Sequence, residues 1–284
     1  MLAYQHAYHA GNFADVHKHL TLYATQRNLL RKESSVTYVD THAGRGRYPL
    51  AGKETQKLKE YQQGILPLWE ARRALGDKHD LLEAWFAGLD RAQESRSGHA
   101  LTHYPGSPWW LTDSLRKQDR LSLFELHPGE HDHLEAQPWP VNVRRIHADG
   151  LAGLRRLLPV STPRLCVLID PSYERKEDYA EVADTLAYVA RKARHAQVAI
   201  WYPLLPAGRH QTLLEHARDA GLRKLWRSEV RLHPPGESHG MYGSGMLLFN
   251  PPWGLDETLN RVFSDVVGLW GREATHRGDW WVEE

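Results

Sequence analysis

The stretch RLCVLIDPSYERK, residues 164–176, is a run of five apolar residues that ends on an acid, a proline and an aromatic ring. An unbroken apolar run of this length bounded by turn residues reads as a strand buried on both faces, the kind found in parallel sheets. Similar β-rich runs recur along the chain: SVTYVDTHAG at 35–44, RLSLFELHP at 120–128, NVRRIHADG at 142–150 and QVAIWYP at 197–203. Helix-like stretches lie between several of them, among them YAEVADTLAYVARKA (179–193) and GRHQTLLEHARDAG (208–221). This alternation predicts an α/β fold with a mainly parallel sheet, whose ligands bind beyond the carboxyl ends of the strands.

Two later runs break the alternation. LRKLWRSEVRLH (222–233) and GSGMLLFNPPW (243–253) are joined by PPGESHGMYG, which has no room for a crossover helix, so a terminal antiparallel hairpin is expected. If the second of the pair is the reversed strand, its NPPW end (250–253) emerges at the edge opposite the other strand ends. There the paired prolines serve to stop a ladder they cannot continue. The DPSY end (170–173) stays on the ligand side. Residues 49–104 differ from their surroundings, with helical periodicity in LKEYQQGILPLWEARRAL and HDLLEAWFAGLDRA and a polar stretch, ESRSGH, at 94–99. The expected division is a first part of the core at 1–48, an inserted helical subdomain at 49–104, and the remainder of the core at 105–284.

Composition narrows the function classes. The 284 residues are 41% hydrophobic and 25% charged, an ordinary globular balance. A single cysteine, Cys166, excludes a disulfide framework or a cysteine zinc site within one chain. No apolar run reaches signal-peptide or membrane-span length, so a soluble cytoplasmic protein with no membrane partner is expected. The formal charge is +1, but residues 43–78 carry eight Lys/Arg against four acids, a candidate phosphate-facing patch to which Arg45 and Arg47 belong. The histidines of YQHAYHAGNFADVHKHL (4–20) lack the helical spacing of a metalloprotease site, so no metal is expected; a polar segment folding over the mouth of a site is more economical.

The strand ends carry the chemistry. Asp40, followed by Gly44 and Gly46, ends the first run; Glu125, Asp149 with Gly150, and Asp170 end three others. Taken singly each has a structural reading: a glycine turn, a helix cap, an Asp-Gly turn. Together, four acid-bearing strand ends in succession match the order of a nucleoside-binding sheet, in which one carboxylate takes both ribose hydroxyls and another takes an adenine amino group. They also give DPSY a reason. An adenine N6 amine is a poor nucleophile because its lone pair is delocalised into the ring. Two acceptors that hold both N–H groups, the Asp170 carboxylate and the Pro171 carbonyl, let the nitrogen pyramidalise toward a methyl donor, with Tyr173 stacked on the base.

Through YQHAYHAGNFADVHKH, YVDTHAGRGRYPL, HYPGSP, ELHP, ADG, DPSYE, WYP and GSGMLLFNPPW, the chain resembles, nearly end to end, the bacterial large-subunit ribosomal RNA adenine-N6 methyltransferases of the RlmJ type. The resemblance implies a Rossmann-like class I methyltransferase core with a small helical insertion. It implies S-adenosyl-L-methionine as cofactor and a single flipped-out adenine of 23S ribosomal RNA as target; a monomer is expected, since nothing in the sequence demands a dimer. It also implies that Lys18, His19, His42, Ser107, Glu125, Asp149, Gly150 and Asp170 line the cofactor site. Asp170 is then the catalytic acceptor, and Tyr4 reaches toward the adenine. The family pattern is Asp-Pro-Pro-Tyr, so Ser172 departs from it and removes the stiffness a second proline imposes on its neighbour. The rival readings are an adenine-N6 DNA methyltransferase, a nucleic-acid-binding relative without catalysis, and a histidine-based metal hydrolase.

Overall fold

The computed structural model describes residues 4–93, 100–236 and 240–284. Helix α1 (Phe13–Leu29) leads into strand β1 (Val36–Asp40). A short strand β2 (Arg47–Pro49) opens a helical excursion through α2 (Thr55–Leu58), α3 (Ile65–Glu70), α4 (Arg72–Lys78) and α5 (Asp80–Arg91), and β3 (His103–Pro105) closes it. The chain then alternates through α6 (Ser107–Asp113), β4 (Arg120–Glu125), α7 (Pro128–Glu135), β5 (Val143–His147), α8 (Gly150–Leu157), β6 (Arg164–Ile169), α9 (Asp178–Lys192), β7 (Gln197–Leu204) and α10 (His210–Asp219). It finishes with β8 (Leu225–Arg231), β9 (Gly243–Phe249), α11 (Leu255–Val266) and β10 (Thr275–Val282). The polar stretch at 94–99 lies outside the described residues.

The eight long strands form one sheet in the order β10-β8-β9-β7-β6-β1-β4-β5. From β7 to β5 every pairing is parallel, whereas β9 runs antiparallel to both β7 and β8. The sheet is thus Rossmann-like and doubly wound, with its order reversing at β1, between β6 and β4. Because β9 is the reversed strand, Phe249 pairs with Val198 at the start of β7, and the Asn250 amide donates to the carbonyls of Arg194 (2.8 Å) and Ala196 (3.1 Å) just before that strand. NPPW therefore ends a ladder at the far edge, and the competition between the two Asp/Asn-Pro motifs goes to DPSY.

The expected antiparallel hairpin forms from β8 and β9. Strand β10 adds antiparallel to β8 and becomes the edge. It has no apolar run to announce it, since one face lies on α11 and the other is partly open to solvent.

Side chains alternate across the sheet as the pleat dictates. On β6, Cys166 and Leu168 point into the core shared with α1, α5, α6 and α11, while Leu165, Val167 and Ile169 point toward α8, α9 and α10. Ile65, Leu68 and Trp85 of the excursion join the same cluster as Leu20 and Leu22 of α1, so the excursion and the main sheet share one core.

Helix α1 is the central element. Asn12 caps it, accepting from the Asp15 N–H at 2.9 Å, and nearly all of its residues are buried, polar ones included. Thr21 and Thr25 satisfy their hydroxyls on carbonyls one turn back, at 2.8 and 2.9 Å. Of its other buried polar groups, Asp15, Lys18 and His19 line the cavity at the strand ends, His17 meets serines of β8 and β9, and Gln26 donates to the Leu111 carbonyl of α6 at 3.0 Å.

Candidate functional site

Beyond the carboxyl ends of β1, β4, β5 and β6 lies a cavity of about 570 Å³. That is a usual size for a pocket holding a small organic ligand. Every cofactor-site residue expected from sequence lines it: Lys18, His19, His42, Ser107, Glu125, Asp149, Gly150 and Asp170, together with Pro171 and Tyr4.

The loop after β1 turns on two glycines with positive φ, Gly44 (61°) and Gly46 (81°). Its Gly44 N–H donates to Glu125 Oε2 at 2.8 Å, and the His127 N–H donates to Oε1 at 2.7 Å. Burial lifts the Glu125 carboxyl above its ordinary value, and the two N–H bonds oppose that rise. The carboxylate is thereby fixed in orientation while keeping lone pairs for a diol.

Asp149 is both a cap and a wall residue, since its side chain accepts from the Ala152 N–H at 2.8 Å at the start of α8. Gly150 stands where a Cβ would land on the Thr41 carbonyl oxygen, so only glycine brings α8 this close to the β1 loop.

His42 shares a 2.8 Å hydrogen bond between Nδ1 and the Thr41 hydroxyl, and burial pushes its pKa down to about 4. It is a neutral ring. His19 is likewise driven well below the usual histidine range by burial; its Nδ1 meets the Tyr104 hydroxyl at 2.9 Å, and its buried Nε2 has no partner among the described residues. Asp40, the first of the four acids, is fully buried beneath the loop rather than in the cavity wall, and burial lifts it to about 7.

Asp170 ends a polar chain that begins at the rim. The Tyr4 hydroxyl meets His6 Nδ1 at 2.9 Å, His6 Nε2 meets Asp15 Oδ2 at 2.9 Å, Asp15 Oδ1 lies 3.0 Å from Lys18 Nζ, and Lys18 Nζ donates to Asp170 Oδ2 at 2.6 Å. Burial works against the charged form of Lys18, but Asp170 and Asp15 outweigh it and raise its pKa, so the ammonium stays protonated. Burial also opposes the ionised form of Asp15, yet His6 and Lys18 hold its carboxyl well below the usual range. At Asp170 burial wins, and the carboxyl sits above its ordinary value with Lys18 pulling the other way. Its Oδ1 has no hydrogen bond among the described residues.

Two sequence expectations are corrected. Tyr173 does not face the cavity: at φ 53° its ring turns into the core, 6% exposed, packs 4.4 Å from the Tyr179 ring and donates its hydroxyl to the Trp201 carbonyl at 2.7 Å. It cannot stack on a bound base from there. Arg45 is not a phosphate ligand, because its guanidinium is buried in a two-pronged pair with Glu130, at 2.6 and 2.9 Å. Arg47 donates to the Ala92 carbonyl at 2.7 Å.

Sequence reasoning missed Trp201, Pro203, Leu205 and Met241, which form an apolar end of the cavity. Trp201 was read only as part of a strand; the signal was its register, one step beyond the paired Ile169 and Ile200 and therefore beside Asp170. The four N-terminal histidines go to separate partners, His6 to Asp15, His9 to Glu60, His17 to two serines and His19 to Tyr104. Tyr4, His6, His9 and Asn12 line the mouth.

A family model described as ribosomal RNA large subunit methyltransferase D, RlmJ, matches residues 33–282. The chain is 36% identical over 263 residues to ribosomal RNA large subunit methyltransferase J of Escherichia coli K12, covering 92% of this chain and 91% of that protein. Against the Haemophilus influenzae Rd protein of the same name it is 35% identical over 285 residues, covering 100% and 98%. A solved structure from Legionella pneumophila superposes with a TM-score of 0.88 at 33% identity, covering 96% of this chain and 98% of that one.

Proposed function

The chain belongs to the RlmJ family of ribosomal RNA large subunit methyltransferases, and we propose that it transfers a methyl group from S-adenosyl-L-methionine to the N6 amine of one adenine in 23S ribosomal RNA. The observation that carries this reading is Asp170: a carboxylate at a strand end, in the cavity, with one oxygen on Lys18 and the other without a hydrogen bond among the described residues.

The cofactor supplies an electrophilic methyl on a sulfonium. The residues present suit it. Glu125 offers both carboxylate oxygens to a ribose diol, Asp149 offers an acceptor to an adenine amine, and Gly150 allows backbone approach. His19 holds a ring nitrogen with no partner among the described residues, and burial keeps His42 neutral beside the loop.

The target adenine must leave its stack to reach a site this deep. Asp170 Oδ1 and the Pro171 carbonyl then accept the two N6–H bonds and orient the nitrogen lone pair toward the methyl. Positioning of this kind needs no metal. Lys18 keeps Asp170 ionised before transfer. Because burial raises the Asp170 carboxyl above its ordinary value, it is also the better base for the proton that the methylated nitrogen sheds.

Asp170→Asn keeps the shape and removes the charge. Methyl transfer to RNA is expected to fall by roughly 100-fold or more, with the fold retained by circular dichroism. A variant methylating at the wild-type rate would remove Asp170 from the mechanism.

A further inference from the structure

With Tyr173 turned into the core, the cavity needs another surface for the face of a flipped base. We propose that Trp201 is that surface, and that a buried chain of Ser244, His17, Ser228 and His276 positions its indole. The inference rests on the reading that the site accepts an adenine.

Three observations place Trp201. Register sets it beside Asp170, one step past the Ile169 and Ile200 pair. It lines the cavity together with Pro203, Leu205 and Met241, an apolar end facing away from the acids that suit a cofactor. It is also only half-buried, whereas its neighbours Ile200 and Tyr202 are fully buried on the other face of the sheet. A large ring at the lip of a carboxylate pocket is what a base stacks on.

The chain behind it is continuous. An indole N–H can only donate, and Trp201 Nε1 gives its proton to Ser244 Oγ at 3.0 Å. The Ser244 hydroxyl meets His17 Nδ1 at 2.9 Å, and His17 Nε2 meets Ser228 Oγ at 2.9 Å. Ser228 Oγ in turn meets His276 Nε2 at 2.8 Å. Hydroxyls and imidazoles both donate and accept, so every link can be satisfied. His17 is held well below the usual range and His276 at about 4, each chiefly by burial.

Phe263 packs against both rings, at 4.9 Å from His17 and 5.0 Å from His276. The chain ties α1 and strands β7, β9, β8 and β10 to one indole orientation. A fully connected buried network gives rigidity and a unique geometry, and one that ends on a cavity ring passes both to that ring.

The test begins with wild-type methylation of 23S RNA, which fixes the modified position and decides the reading on which this inference rests. A short RNA carrying 2-aminopurine at that position is then bound to each variant. Stacking on indole quenches the probe, so the wild-type complex should be dim. Trp201→Phe should be several-fold brighter at similar RNA affinity, and Tyr173→Phe should remain as dim as wild type. Trp201→Ala should lower kcat/KM for RNA by ~10–100-fold while S-adenosylmethionine affinity stays within about twofold.

The positioning role is read from a cycle. Ser244→Ala and Trp201→Phe should each lower kcat severalfold without changing cofactor affinity, and the double variant should be no slower than the slower single one. A purely structural network would give additive losses in the cycle, and that outcome overturns the positioning role. Wild-type methylation together with a bright Tyr173→Phe complex and a dim Trp201→Phe complex overturns the assignment of Trp201 alone. Absence of wild-type methylation counts against the reading under it.

Discussion

Asp170 sits between two opposing influences, and their balance is open to measurement. Burial raises its carboxyl and Lys18 lowers it, so the acid limb of the rate profile should lie above the ordinary carboxylate value of 3.8. Lys18→Met removes the opposing cation. The acid limb should then move to higher pH, with a larger loss of rate at pH 6 than at pH 9; a parallel loss at both would separate Lys18 from the ionisation of Asp170. Asp40 offers a second test through stability. Burial lifts its carboxyl to about 7 in the folded chain. An acid whose folded pKa is raised stabilises the fold below its unfolded value, and that contribution is lost as pH rises through the folded one. Asp40→Asn should therefore be more stable than wild type at pH 8, by on the order of 2 kcal/mol, with the gain closing toward pH 4 in urea melts. Gly150→Ala places a methyl on the Thr41 carbonyl and should cost ~1–3 kcal/mol as well as weakening cofactor binding tenfold or more by calorimetry. Asp170, Glu125 and Asp149 were legible in the sequence through their succession at four strand ends, since each alone reads equally well as a cap or a turn. Tyr173 was misread because a positive φ turns its ring away, which no one-dimensional pattern reports. Trp201 was hidden because strand membership says nothing about which side chain reaches the rim.

At the scale of elements, the parallel strands announced themselves through apolar runs, and the hairpin through a connection too short for a crossover. Helix α1 gave no such sign. Its faces are all covered, so its polar residues do not segregate into a solvent stripe, and histidines, lysine and aspartate sit where an amphipathic pattern would place leucine. Asp15, Lys18 and His19 line the cavity and His17 joins the chain behind Trp201, so polar partners on several sides replace the usual apolar stripe. Strand β10 was missed for the opposite reason: an edge strand half open to solvent needs no apolar run. Arg45 shows how a basic residue in a basic stretch can still be structural, since its pair with Glu130 ties the loop after β1 to α7. Removing one member of a buried pair strands the other, so Arg45→Met should destabilise the fold by ~3–5 kcal/mol. The salt dependence of RNA binding by the folded variant should be unchanged, and a shallower salt slope would return Arg45 to the phosphate surface.

Across the whole molecule the charges nearly cancel, with a formal excess of +1, so attraction to a polyanion must be local. Among the described residues, no helix is long and apolar enough to cross a membrane. Lys53, Lys57 and Lys59 are exposed, and the segment carrying them is joined to the rim of the cavity by the Thr55 hydroxyl, which donates to the Ala7 carbonyl at 3.0 Å. Replacing the three lysines by alanine should weaken RNA binding and flatten its salt dependence by roughly one unit of slope per lost phosphate contact, leaving cofactor affinity intact. The most direct test of the central claim is transfer of label from S-adenosylmethionine to protein-free 23S ribosomal RNA and, in parallel, to duplex DNA, followed by digestion to nucleosides. N6-methyladenosine is expected from the RNA, at one position, with no label in the DNA; label in DNA alone, or in RNA on any atom other than adenine N6, would contradict the proposed reaction.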